Sequence, residues 1–181
     1  RGVEEPIADF TFTSTEVLSK KVKELGYTVM LSGMGADEVF GGYPRYNLVK
    51  FAKSFKYLAP IIKSTIGRKK SFEKKIERFN SFFEEKSFEI KYTSLIGSFS
   101  TKDVEKMIQS DKNNLDAYIL KLRSILNEAK DLSEMKKAMY LDWLGFLSHN
   151  FIVADKSSMR HSVEIRVPLA TKEMYEKVFS G

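Results

Sequence analysis

The run Leu31-Ser32-Gly33-Met34-Gly35-Ala36-Asp37-Glu38-Val39-Phe40-Gly41-Gly42-Tyr43 sets glycines and two carboxylates directly after Tyr27-Thr28-Val29-Met30-Leu31. The latter is short, apolar and rich in β-formers, and predicts a buried strand. Glycines just past a strand let the backbone approach an anion with no Cβ in the way. Gly33 and Gly35 are therefore candidate residues beside a bound nucleotide. A helix starting near Ala36 turns its free N–H groups and positive dipole end toward the same spot. Asp37 and Glu38 add carboxylates where a metal-phosphate would sit. Together these features suit a nucleotide-pyrophosphate site better than a plain turn.

A second concentration of polar chemistry runs from Ala154 to Leu169, as ADKSSMRHSVEIRVPL. Arg166 can grip phosphate or carboxylate with two parallel hydrogen bonds, and Lys156 can act on either as a point charge. An internal salt-bridge network is the competing reading of this stretch. His149 and His161 have no metal-ligand spacing and read as ordinary core or surface residues. Asp142 lies on an apolar stripe with Met135, Met139 and Phe146. A carboxylate there must be paired or hydrogen-bonded, either as a structural cap or ion pair or as support behind the nucleotide site.

The elements that would position these residues read as follows. Residues 14–25 predict a helix, with a Thr13/Glu16 capping box, a Leu18, Val22, Leu25 stripe and Gly26 as stop. Helix, buried strand and glycine turn make one unit of an α/β sheet. Residues 47–58 look helical up to Pro60, 59–71 form a basic connection, and 71–86 are charged and Phe-rich. Ser100 and Asp103 form a capping signature before 101–110. Leu115, Ile119, Leu122 and Ile125 or Leu126 give a stripe for a helix of about four turns. Met135–Leu147 is apolar nearly all round and predicts one buried helix. Thr171 caps a last helix reaching about Val178.

The chain has 181 residues, enough for one domain with a real core. Its 14 Phe and 8 Tyr argue against disorder. The absence of cysteine excludes disulfides, Cys-based zinc sites and thiol nucleophiles, and fits a reducing, cytoplasmic setting. No run is long enough to span a bilayer and the start carries no signal peptide, so no membrane partner is expected. The first residue is Arg1, which reads as a fragment, a processed product or a trimmed chain. The net charge of +6 is concentrated in residues 50–75, where nine Lys and Arg face the single Glu73. A solvated face is the plain reading. The other is a non-catalytic helical module that docks an anionic partner. No stacking motif or zinc-finger spacing supports nucleic acid.

Read together, the two motif stretches resemble the asparagine synthase family. Leu31–Tyr46, as LSGMGADEVFGGYPRY, looks like its earlier signature. DKSSMRHSVEIRVPLA looks like the later one, around D-[RK]-x-S-M-x-H-S-x-E-x-R-V-P. Glu4-Glu5-Pro6-Ile7 resembles the segment before the first, and the order and spacing agree. The resemblance implies an α/β, adenine nucleotide α-hydrolase-like (Rossmann-like) synthetase domain. Residues 1–181 would be a partial one, predominantly helical with few strands. Such domains adenylate a carboxylate with Mg-ATP, release pyrophosphate and let ammonia attack the acyl-adenylate. In asparagine synthases the carboxylate is aspartate's and the ammonia comes from glutamine. The implied cofactors are thus ATP and Mg2+, and the partners are aspartate and glutamine-derived ammonia, with a homodimer as the protein–protein option. Ser32 and Gly33 match positions whose backbone lies by the nucleotide, Asp37 matches the magnesium-binding aspartate, and Arg166 stands as a catalytic candidate.

The chain departs from the family pattern in places. It contains no S-G-G-x-D-S pyrophosphate loop and no lysine after the R-V-P segment at the family's catalytic position, and without cysteine it has no glutaminase nucleophile. The expectation is that it is inactive in ammonia transfer by itself. Met34 stands where the family usually has Glu or Asp, a position linked to handling the attacking amine. Methionine neither accepts a proton nor holds ammonium by charge, which leaves two readings: a divergent amidotransferase with another carboxylate substrate, or a weakened enzyme. Thr171 stands where the family often has Asp.

Overall fold

The computed structural model describes residues 7, 9–52, 82–83, 87–97, 104, 106–107 and 112–180. The chain divides into two compact units. One is built from Arg1–Gly42 together with Asp142–Gly181, the other from Tyr43–Leu141.

The first unit repeats one construction twice: a helix, a tight left-handed turn and a short parallel strand. Helix α1 spans Phe10–Glu24 and leads to strand β1, Val29–Leu31. Its start lies upstream of the Thr13/Glu16 box expected from sequence. Asp9 is the cap, accepting from the Thr11 N–H at 2.8 Å and the Thr11 hydroxyl at 2.7 Å. At its end Gly26 takes φ +88°, its N–H bonding Lys23 O and that of Tyr27 bonding Val22 O. This is a Schellman stop.

The same bonds recur further on. A helix over Leu147–Met159, preceding strand β2 at Glu164–Arg166, closes with Ser162 N–H on Met159 O and Val163 N–H on Ser158 O. Here Ser162, at φ 53°, takes the place glycine takes in α1. β1 and β2 pair in parallel, with Val29 opposite Glu164, Met30 opposite Ile165 and Leu31 opposite Arg166.

α1 packs against the Leu147–Met159 helix. The buried residues of this pair include Ser19, Ala154, Ser157 and Ser158, small enough for close backbone approach. Each buried hydroxyl is satisfied by its own helix: Ser19 donates to Thr15 O at 2.7 Å and Ser157 to Ala154 O at 3.0 Å. Side-chain contacts tie the same two segments. Arg160 meets Glu16 at 3.1 Å, His161 approaches Glu16 at 3.9 Å, and His149 approaches Asp9 at 3.7 Å.

The strand expectation needs correction. β1 is not buried: Val29 and Leu31 are exposed and only Met30 is half-covered. With β2 as its one partner among the described residues, the sheet has one face against helices and the other open.

α2, Ala36–Phe40, follows β1, and α3, Pro44–Lys50, opens the second unit with proline in its first turn. α4 spans Phe88–Ile96, α5 Lys112–Glu128 and α6 Glu134–Leu141. α3 and α5 both pack on α6, and α4 packs on α5. The Leu115, Ile119, Leu122, Ile125/Leu126 stripe forms the half-buried face of α5, as its period predicts. Tyr46, Val49, Tyr92 and Ala138 are core residues of this unit. Arg45 is held there by two aromatic rings. Its Nε donates to Tyr92 Oη at 3.1 Å and its guanidinium lies 3.7 Å from the Tyr43 ring centroid. Burial pushes the Glu89 carboxyl up, but the Arg123 hydrogen bond at 2.6 Å and its charge bring it below the usual carboxylate range.

The single buried helix expected over Met135–Leu147 is interrupted. α6 ends at Leu141, a π-helical turn covers Asp142–Phe146, and α7 runs over Leu147–Met159. Ala138, Met139 and Leu147 are buried, but Leu144 is exposed. α8, Lys172–Ser180, starts at Thr171, whose hydroxyl accepts from the Met174 N–H at 3.2 Å. The expectations for residues 53–81, 84–86 and 98–103 lie outside the described residues, and with them nearly all of the basic stretch.

Candidate functional site

Parallel pairing carries both signature motifs to the same end of the sheet. Beyond the last β1 residue, the Ser32 N–H donates to Arg166 O at 2.9 Å. The turn after β1 and the Val167–Ala170 turn after β2 thus leave the C-terminal edge side by side. In open α/β sheets, ligands bind beyond the carboxyl ends of the strands.

Within the first turn, the Met34 N–H donates to Ser32 Oγ at 3.2 Å, and Ala36 N–H to Gly33 O at 3.2 Å. The glycines differ in what they face. A Cβ on Gly33 would meet nothing within 4 Å. Gly33 is therefore the glycine of this turn that leaves room for a ligand. Gly35 sits at φ +89°, and a Cβ there would lie 2.5 Å from the Ala170 Cβ and 3.4 Å from Leu147 Cδ2. Gly35 thus serves packing between the two signatures. Gly41 takes φ 74° to end α2, its N–H bonding Asp37 O at 2.9 Å. At Gly42, a Cβ would collide with Asp37 Oδ1. The Gly41–Gly42 pair, four and five residues after the acid, is the signal by which sequence could have found this last contact.

The two acids of the turn part company. Asp37 is exposed and makes no ion pair among the described residues, whereas Glu38 is fully buried with Val39. The expectation of two carboxylates at a metal-phosphate therefore narrows to Asp37. Successive residues of a helix point about 100° apart, and α2 presses one side into the unit. A magnesium ion bound along with phosphates needs only one or two carboxylates, the rest being phosphate oxygens and water. Asp37 supplies one. Among the described residues no group of three or more His, Cys, Asp or Glu side chains could hold a metal. This donor set fits a cation shared with a phosphate, not a self-contained metal centre.

Arg166 and Lys156 sit in different settings. The Arg166 side chain lies along β2 and pairs with Glu164 at 2.9 Å. The hydrogen bond and charge of Arg166 lower the Glu164 carboxyl below its ordinary range, and the same contacts raise Arg166. Both are solvent-exposed on the open sheet face, with Val29 and Leu31 opposite them in register. Lys156 is half-buried on α7, and Met34 is half-buried in the turn. Asp142 is fully buried in the π-helical turn, which packs against α2. The turn that carries Asp142 thus packs on the element that carries Asp37. Isolated π-turns inside helices are frequent near functional sites. His149 and His161 are occupied with acids of α1. No helix of the described residues is long and apolar enough to cross a membrane.

Comparison with known proteins agrees with the motif order. Over 176 residues the chain is 26% identical to asparagine synthetase [glutamine-hydrolyzing] 1 of Bacillus subtilis, covering 96% of this chain and 28% of that protein. Putative glutamine-hydrolyzing asparagine synthetases of Mycobacterium bovis and Mycobacterium tuberculosis are 25% identical over 179 residues, covering 96% of this chain and 27% of theirs. The chain thus spans somewhat over a quarter of the length of these curated relatives. No solved structure gives a significant match. The asparagine synthase family model matches residues 1–180. With both signatures inside that match and folded against each other at one sheet edge, the chain belongs to the asparagine synthase family.

Proposed function

We propose that this chain forms part of an ATP-dependent amidotransferase that makes asparagine. In that reaction the aspartate side-chain carboxylate attacks the α-phosphorus of ATP, giving β-aspartyl-AMP and pyrophosphate. Ammonia derived from glutamine then displaces AMP to give the amide. The observation that carries the reading is the meeting of the Ser32–Asp37 turn with the turn after Arg166 at the C-terminal sheet edge. The α/β nucleotide α-hydrolase-like fold belongs to this proposal.

Ser32 and Gly33 supply backbone beside the phosphates, Gly35 holds that turn against Ala170, and Asp37 would hold the magnesium that travels with the phosphates. When bound, that cation would neutralise charge developing on the leaving pyrophosphate. Lys156 and Arg166 supply positive charge, and Arg166 must first leave Glu164. The 181 residues alone are inactive in this reading, since the S-G-G-x-D-S loop is not among them.

The test is aspartate-dependent pyrophosphate release by the intact protein with Mg-ATP. Asp37→Asn should lower it by at least about a hundredfold, the scale of losing a main charge-stabilising group. Unchanged turnover removes Asp37 from the site, and no release with any carboxylic acid overturns the reading.

Met34 favours a second version, a divergent amidotransferase acting on another carboxylate. Here the thioether marks a pocket of different polarity. Met34→Glu separates the two: increased amide formation from aspartate supports a simple loss of the acid, while no gain supports the altered pocket.

A further inference from the structure

The Asp37 carboxylate lies in the space where any other residue at position 42 would carry its Cβ. The same α2 terminus brings the N–H groups of Gly41 and Gly42 onto Asp37 O, at 2.9 and 3.1 Å. Gly42 therefore follows Asp37 around the end of the helix and returns beneath its side chain. Its backbone does not itself need glycine, since positive φ in this turn is confined to Gly35 and Gly41. What Gly42 contributes is an absent side chain.

We propose that Gly42 is a positioning residue for Asp37: its missing Cβ leaves the seat in which the carboxylate rests, and this seat sets the direction from which Asp37 meets a phosphate-bound divalent cation. The proposal rests on the reading of Asp37 as the residue facing that cation. A methyl group at position 42 forces the carboxylate to rotate away. The group displaced is the far end of an exposed side chain, so the turn itself can stay as it is. Asp37 then keeps its charge and exposure and loses its direction. The other glycines make no such separation. Gly35 is bound to its place by backbone and packing, Gly41 by φ, and a Cβ at Gly33 would meet nothing within 4 Å.

The experiment compares Gly42→Ala, Asp37→Asn and the double variant in the intact protein. One readout is Mn2+ binding in the presence of ATP, followed by the paramagnetic resonance signal of free Mn2+. The other is the melting temperature. Gly42→Ala should keep its melting temperature within about 4 °C, because its backbone accepts alanine. It should weaken Mn2+·ATP binding about tenfold, the low end of what residues supporting a metal ligand contribute. The double variant should bind no more weakly than Asp37→Asn, since a misdirected carboxylate and an absent one are equivalent. Asp37→Glu on the Gly42→Ala background, with one more methylene to reach around the methyl, should recover part of the loss.

Unaltered Mn2+·ATP binding in Gly42→Ala, beside a clear loss in Asp37→Asn, overturns the positioning role and leaves Asp37 in place. Unaltered binding in both overturns the cation reading itself. A larger fall in melting temperature with Gly42→Ala makes the residue structural and also overturns the proposal.

Discussion

Gly35 combines a left-handed backbone with a contact that leaves no room for a methyl group. A non-glycine residue in that conformation costs about 1–2 kcal/mol, and overpacking adds about 1–3 kcal/mol. Gly35→Ala should therefore destabilise the protein by at least about 2 kcal/mol, read as a lower midpoint in urea unfolding. A midpoint within error of wild type would show that the two signature turns are not in close contact. Ser162 is the opposite case, because there the chain carries the strain already: its φ is 53°, in the turn where α1 uses Gly26. Ser162→Gly should raise stability by up to about 1 kcal/mol, measured by the same unfolding, and a loss of stability would argue for a contact made by the hydroxyl. The sequence marked the glycines as a group and explained them by one cause, ligand approach. Only Gly33 has the open space that this cause requires. What Gly35 and Gly42 avoid is Ala170 and Asp37 Oδ1, and contacts of this kind exist only after the chain has folded.

At the scale of elements, Asp9 controls the start of α1. Hydrogen bonds from the Thr11 hydroxyl and N–H hold its carboxyl below the usual range, with a smaller opposing effect of burial and some help from His149. A depressed folded value means that the stabilisation is present above the unfolded value of about 3.9 and disappears as pH falls through the folded one. Asp9→Asn keeps a good cap without the titration. It should melt near wild type at pH 7 yet lose less stability between about pH 5 and pH 2. Parallel acid limbs for the two proteins would remove Asp9 from the account. α5 and the Thr171 cap were legible because both depend on spacing within a few residues. The α1 start was not, since Asp9 and Thr13 each offer a capping side chain and only the fold selects between them. Nor was the break at Asp142, as an apolar run reads equally well through a π-turn.

At the scale of the molecule, the reading of β1 as buried used its composition, whereas burial is decided by neighbours. Val29 and Leu31 point to the open sheet face, with Leu31 74% exposed. In parallel pairing, alternate residues bond to opposite sides. Thr28 O and Ser32 N are used toward β2, so the peptide groups of Val29 and Leu31 face the other edge. α1 adds Phe10, Val17, Leu18 and Leu25 to the exposed apolar set. Small buried residues such as Ser19 face α7, so the larger apolar stripe of α1 is left outside. An open strand edge and exposed apolar side chains each favour association. The 181-residue chain should therefore bind the dye ANS and elute from a sizing column as concentration-dependent oligomers. Leu18→Lys with Leu31→Lys should reduce both effects. Each change should alter unfolding stability by no more than about 0.5 kcal/mol, as exposed substitutions do. Monodisperse chain without dye binding would mean that this face is covered in solution, and the exposed character of β1 would then have to be abandoned.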